Sequence, residues 1–253
     1  MIIGIRLYMK IKFLASMRSV ITLCFAFLFT FTAYAAEPEK EKMTENILEL
    51  KVKNIYSELI DNSQSLPSFE VFNLALKGFH NLKSETQELK RDILTVIDFS
   101  LSSNEKRMWV IDLQNKKVLF NDLVAHGRNS GNEFARKFSN VPETNMSSIG
   151  FYITGKTYHG KHGLSMFLHG KDKGFNDNAK KRAIVMHGAD YVSESFIKKY
   201  GRLGRSFGCP SVSMTIYKDL INTIADGTCI FIWYPDENFL EKSNVLLRSL
   251  NHT

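Results

Sequence analysis

Cysteine and proline are both scarce: the 253 residues contain three of the first and five of the second. No segment repeats, and none narrows to a few residue types. With 44% hydrophobic residues, 23% charged residues and 15 glycines, these absences exclude a fibrous or disordered chain and leave ample apolar content for a core. Basic runs interleaved with aromatics are missing too, which removes the case for nucleic acid as a partner. There is no His-Glu-X-X-His helix, and the close pair His159 and His162 in "YHGKHG" lacks the third ligand and supporting shell of a catalytic zinc site. No metal and no other cofactor is expected.

Acids are absent from the first twenty residues, "MIIGIRLYMKIKFLASMRSV", which carry Arg6, Lys10, Lys12 and Arg18. The apolar run "ITLCFAFLFTFTAYA" follows and ends in Ala33-Tyr34-Ala35, small residues at the two positions a signal peptidase reads. Residues 1–35 therefore read as a secretory signal cleaved after Ala35. An uncleaved anchor is the alternative, although the stretch from Ser19 to Ala35 falls short of the roughly 20 residues that cross a bilayer. Cleavage leaves no stable membrane anchor and places the protein in the periplasm or cell envelope. It removes Cys24, and the net charge falls from +7 to +3 as four cations leave with the signal. Weak positive charge of this size is compatible with an anionic envelope polymer.

After the signal, apolar residues at helical spacing predict one helix from about Thr44 to Asn62, and "SFEVFNLALKGFHNL" predicts a second after Pro67. Residues 36–90 thus form a helical N-terminal region. From Arg91 the texture changes to short runs rich in Val, Ile, Phe and Tyr, with a hairpin predicted over Trp109–Leu123 around Gln114-Asn115-Lys116. Helices are expected at "SESFIKKYG" and "TIYKDLINTIADG". The fold class is mainly β with appended helices (α+β). Residues 91–236 form the principal domain and 237–253 a short amphipathic tail.

Two cysteines remain in the mature chain. Cys229 lies in the apolar run "GTCIFIWYP", where a cysteine is usually a small buried hydrophobe. Cys209 lies in "RSFGCPSV", a Gly-containing loop flanked by Arg202 and Arg205. A nucleophilic thiol needs a base, oxyanion donors and access for substrate. His187, at the point where "AIVMHGADY" meets Gly188, is the candidate base. Gly208 clears space beside the thiol, and backbone N–H groups at Gly208 and Cys209 are candidates for an oxyanion hole. The lone motifs are weak, and export makes a Cys209–Cys229 disulfide an open alternative.

Taken together, His187-Gly188 and Ser206-Phe207-Gly208-Cys209, with "SSIGFYITGKTYHGKHGLSMFLHG", "GFNDNAKKRAIVMHGADYVS" and "GRLGRSFGCPSV" around them, resemble the L,D-transpeptidase catalytic domain. This is the YkuD-like domain, in its murein L,D-transpeptidase-like branch, and the resemblance covers roughly residues 100–235. It implies a β-sandwich or barrel-like catalytic domain in which a cysteine attacks the carbonyl between the third and fourth residues of a peptidoglycan stem peptide. The resulting thioester passes to an amine. Carried over by position, Cys209 is the nucleophile and His187 the base, oriented by the Gly188 carbonyl.

The chain departs from that family in three places. Phe207 replaces the usual histidine before Gly-Cys, the spacer from His187 to Cys209 is longer than usual, and Ser211 stands where an arginine commonly follows the cysteine. Arg205 or Arg202 is then the candidate for gripping a substrate carboxylate, with Ser206, His162 and Tyr152 as further pocket residues. Lys180, Lys181 and Arg182 read as a solvated face. Transfer of the thioester to water, as in an L,D-carboxypeptidase or endopeptidase, remains open, as does a non-catalytic envelope-binding module.

Overall fold

The computed structural model of the chain describes residues 49–60 and 65–247. The expected secretory segment lies outside the described residues. The chain divides into two compact units, residues 1–51 and 52–253. Of the first unit only residues 49–51 are described, as the opening of helix α1 (residues 49–60).

The second unit is built on one nine-stranded sheet. Its strands are β1 (Ile93–Asp98), β2 (Met108–Asp112), β3 (Lys117–Asp122), β4 (Val124–Ala125), β5 (Gly150–Gly160), β6 (Gly163–Gly170), β7 (Val185–Ala189), β8 (Ser211–Ser213) and β9 (Cys229–Trp233). Helices α2 (Phe69–Glu85), α3 (Glu194–Tyr200), α4 (Tyr217–Ile224) and α5 (Glu237–Lys242) decorate it. The spatial order is β3-β2-β1-β9-β5-β6-β7-β8-β4. Its two outermost strands, β3 and β4, are separated in sequence by Leu123 alone, so the sheet must curl until its edges nearly meet. The result is a nearly closed barrel or sandwich, the β-rich fold expected from the sequence.

Strand periodicity explains why both sheet faces are apolar. Along β9, Cys229, Phe231 and Trp233 join one core while Ile230 and Ile232 join the other. On β2, Trp109 and Ile111 point to the first core, and Met108 and Val110 to the second. Side chains alternate sides at every residue, so each strand serves two cores and reads as a continuous apolar run.

Helix α2 covers the first core. Ser68 caps it, accepting a hydrogen bond from Val71 N–H at 3.3 Å, and its stripe Phe72, Ala75, Leu76, Phe79 and Leu82 is buried. Phe239 of α5, with Val245 and Leu246, joins the same core, so the described part of the tail, residues 237–247, contributes to it. Gly78 lets α2 approach β5 closely, because a Cβ there would lie 2.0 Å from the Phe151 ring. Alanine at this site should destabilise by about 1–3 kcal/mol through overpacking, despite its better helix propensity. Thermal unfolding of Gly78→Ala checks this, and an unchanged or raised Tm would contradict the packing.

Most strand pairs are antiparallel, but β7 and β8 run parallel. Parallel neighbours need a long crossover, and the stretch holding α3 supplies it. The long spacer between His187 and Cys209 is therefore a topological requirement of these two strands.

Candidate active site

His187 is the third of the five residues of β7, paired with Ser165 on β6 and Ser211 on β8. The apolar run "AIVM" ends at His187, but the strand does not. It continues because Gly188 and Ala189 pair with Val212 and Ser213 of β8, and the imidazole is accordingly buried. Its Nδ1 lies 2.9 Å from the Gly188 carbonyl oxygen. A carbonyl only accepts, so Nδ1 carries the proton and Nε2 presents a lone pair. Ser211 Oγ sits 3.1 Å from that Nε2. On one face the ring stacks against His162, with centroids 4.3 Å apart and planes 19° from parallel. His162 reaches it from the two-residue turn between β5 and β6. Burial pushes the imidazole below its usual range, the Gly188 carbonyl draws it back, and His162 and Lys161 push it lower.

Cys209 lies in the loop that enters β8. Ser206 shapes that loop: its hydroxyl donates to the Cys209 carbonyl at 2.6 Å and accepts from Gly208 N–H at 3.0 Å. Gly208 has φ +124°, and a Cβ on it would come within 2.7 Å of the Met146 carbonyl oxygen, so only glycine fits. The Cys209 thiol lies 3.8 Å from the Ala183 carbonyl and is partly exposed. Burial of the sulfur pushes its pKa up, while Val185 N–H, Arg182 and Lys161 draw it down.

With the thiol raised and the imidazole lowered, both groups are neutral at pH 7. Alkylation of Cys209 by iodoacetamide should therefore be slow at pH 7 and still rising at pH 9, since only the thiolate reacts. Mass spectrometry of the labelled peptide across pH reads this directly. A rate already at its plateau at pH 7 would contradict a neutral resting pair.

Several expected site residues are placed elsewhere. Tyr152 is fully buried and donates to the Ser148 carbonyl at 3.2 Å, which puts its ring in the core rather than on a pocket wall. Arg205 donates to the Gly131 carbonyl at 3.0 Å and to Asn132 Oδ1 at 2.7 Å, so it braces a loop. Arg202 donates to the Leu203 carbonyl at 2.7 Å. The Gly208 N–H is already held by Ser206, so of the expected pair only the Cys209 N–H remains a candidate oxyanion donor. Both cysteines are free thiols. Cys229 belongs to β9, four strands from β8 in the sheet, beyond the reach of a disulfide. Among the described residues, no group of three or more His, Cys, Asp or Glu is placed to hold a metal ion.

Arg182, read from the sequence as part of a solvated face, is half-buried; it donates to the Ser139 carbonyl and to Ser148 Oγ and interacts electrostatically with Cys209. Tyr191 donates to Ser211 Oγ at 3.0 Å. Phe207 is 63% exposed, so the position where a second histidine was expected faces solvent, with the Arg128 guanidinium 4.8 Å over its ring. A cavity of about 570 Å³ is walled by Ile153, Phe167, Leu168, Ala183 and Ile184 with Lys156 and Lys180; neither Cys209 nor His187 lines it.

The L,D-transpeptidase catalytic domain family matches residues 63–233. The chain belongs to this family. Solved L,D-transpeptidases are similar to it at low identity. The enzyme from Mycobacterium smegmatis is 13% identical over 57% of this chain and 59% of its own, with a TM-score of 0.35. That from Stackebrandtia nassauensis is 14% identical over 66% of this chain and 67% of its own, also at 0.35. L,D-transpeptidase 3 from Mycobacterium tuberculosis, solved with a faropenem-derived adduct, is 10% identical over 57% and 61%, at 0.38. The chain spans about three-fifths of the length of the first of these. No curated protein sequence matches it.

Among the described residues, no helix is long and apolar enough to cross a membrane.

Proposed function

We propose that the protein is an exported cysteine acyltransferase that acts on peptidoglycan stem peptides. The observation that carries the reading is the state of His187: Nδ1 is committed to the Gly188 carbonyl, and Nε2 faces Ser211 Oγ, two residues after Cys209. The family to which the chain belongs supplies the substrate class.

In this reading the Cys209 S–H bond breaks as His187 Nε2 gains a proton, and the sulfur bonds the carbonyl carbon of the peptide bond ahead of the terminal D-residue. Cys209 N–H donates to the oxygen as it gains negative charge. Collapse of the tetrahedral adduct expels the D-residue amine, which takes the proton back from the imidazolium. An amine acceptor then attacks the thioester and restores the thiol. No step calls for a cofactor.

The test is incubation of the mature protein with purified tetrapeptide muropeptides, followed by chromatography and mass spectrometry. The reading predicts release of the terminal D-amino acid and the appearance of dimers cross-linked between third residues. Release without dimers would assign the thioester to water, making the protein a carboxypeptidase. Loss of existing cross-links would make it an endopeptidase. Unchanged muropeptides would contradict the reading.

A further inference from the structure

The register of β7 and β8 sets Ser211, not Cys209, directly opposite His187. Cys209 lies in the bend before β8, where the Val185 N–H faces its sulfur. Two residues of strand correspond to about 6.6 Å, and the thiol at rest donates to the Ala183 carbonyl at 3.8 Å, so it must turn its proton toward Ser211 for a transfer.

Three polar groups stand in line. Tyr191 Oη donates to Ser211 Oγ at 3.0 Å, and Ser211 Oγ lies 3.1 Å from His187 Nε2. Because Nδ1 holds the ring's proton, Ser211 must donate to Nε2. Its oxygen then has two lone pairs; Tyr191 occupies one, and the other remains. The Tyr191 phenol also senses charge on Cys209, which places the tyrosine, the serine and the thiol in one neighbourhood. Ser211 is wholly buried, and the Tyr191 carbonyl is tied to Gly204 N–H at 2.9 Å, so the crossover loop holds the tyrosine in place. The other charged or titratable groups around this set are Lys161 and His162 from the β5–β6 turn, Arg182 before β7, and Asp190 after it.

We propose that Ser211, held by Tyr191, is the proton relay between the Cys209 thiol and His187 Nε2. This rests on the acyltransferase reading above. As the C–S bond forms, the thiol proton passes to the free lone pair of Ser211 Oγ, and the original Ser211 proton passes to Nε2. One S–H and one O–H bond break, one O–H and one N–H bond form, and Tyr191 remains the donor to Ser211 throughout. The serine takes up the position where the family usually carries an arginine, so the relay belongs to the departures that distinguish this chain.

The experiment compares wild type, Ser211→Ala, Ser211→Thr and Tyr191→Phe in two assays across pH 5–10. One is acylation of Cys209 by imipenem, whose strained lactam offers an activated carbonyl; the other is alkylation by iodoacetamide, which needs thiolate and no base. General-base assistance contributes about 10²–10⁴-fold. Ser211→Ala should therefore lose at least about 10-fold in acylation near pH 7, and its rate should climb with the thiolate fraction instead of levelling once His187 is neutral. Its alkylation profile should match wild type, which shows that the loop is intact. Ser211→Thr keeps the hydroxyl and should restore the wild-type pH profile. Tyr191→Phe, which removes one oxygen and no packing surface, should show the same change of profile in weaker form, and it carries the test if Ser211→Ala does not fold. Wild-type acylation profiles in both Ser211→Ala and Tyr191→Phe would overturn the relay and leave the acyltransferase reading standing. A wild-type protein that alkylates but is never acylated sinks that reading, and the relay with it.

Discussion

Replacing His187 with alanine is expected to slow acylation of Cys209 by about 10²–10⁴-fold at pH 7, the usual contribution of a positioned general base. The size of the effect follows from the electrostatics of the resting site. Burial raises the thiol and lowers the imidazole, so no preformed thiolate is available to sustain the reaction without a base. The position of Phe207 reinforces this: it is the residue where a second histidine is usual, and it faces solvent with Arg128 over its ring. The described residues therefore offer no second imidazole next to the thiol in sequence. In the wild type, activity on the acid side should follow ionisation of His187. Desolvation holds that ionisation below the usual histidine range, so acylation should fall only as pH drops well below neutrality. Single-turnover acylation of wild type and His187→Ala across pH gives both answers. A variant that loses less than about 10-fold would remove His187 from the role of base.

The second large effect concerns stability. Arg107 is wholly buried; it donates to the Leu101 carbonyl at 2.7 Å, to the Val124 carbonyl at 3.0 Å and to His126 Nδ1 at 2.8 Å. Its guanidinium also lies 4.9 Å from the Phe99 ring. Truncation to alanine leaves two carbonyls and a ring nitrogen without donors and opens a cavity. Together these should cost about 3–5 kcal/mol, a large part of the roughly 5–15 kcal/mol that holds a domain together. The damage would spread to the active-site loop, because the His126 carbonyl accepts the Ser206 N–H at 3.0 Å, and Ser206 in turn shapes the turn at Cys209. His126 is kept neutral, its pKa pushed down to about 3 by burial and by Arg107, as its acceptor role requires. Urea unfolding of Arg107→Ala measures the loss. A midpoint within error of wild type would show that the buried guanidinium is dispensable.

Local pattern made much of this architecture legible in advance. The Trp109–Leu123 hairpin, the helix after Pro67 and the two later helices follow from apolar periodicity and turn residues that act over a few positions. His187 and Cys209 were legible because glycine flanks each of them in an otherwise apolar or basic context. The partnership of Ser211 with His187 was not, because it depends on the register of two parallel strands joined through a 21-residue spacer, which no local pattern encodes. Arg182 was hidden for another reason: its neighbours Lys180 and Lys181 are exposed, and a run of three cations looks uniform until one of them turns inward. Arg205 and Tyr152 erred in the opposite sense, since residue type and position pointed to substrate while the loop backbone and the core took up their polar atoms.

The central claim is that Cys209 forms a covalent acyl intermediate on the path from donor to acceptor. Intact-mass analysis of the mature protein, quenched in acid within seconds of mixing with a tetrapeptide donor, tests it most directly. The account predicts a population heavier by the donor minus its terminal D-residue, mapped to the Cys209 peptide and absent in Cys209→Ala. Donor turnover with no such adduct, or an adduct that persists in Cys209→Ala, would contradict it.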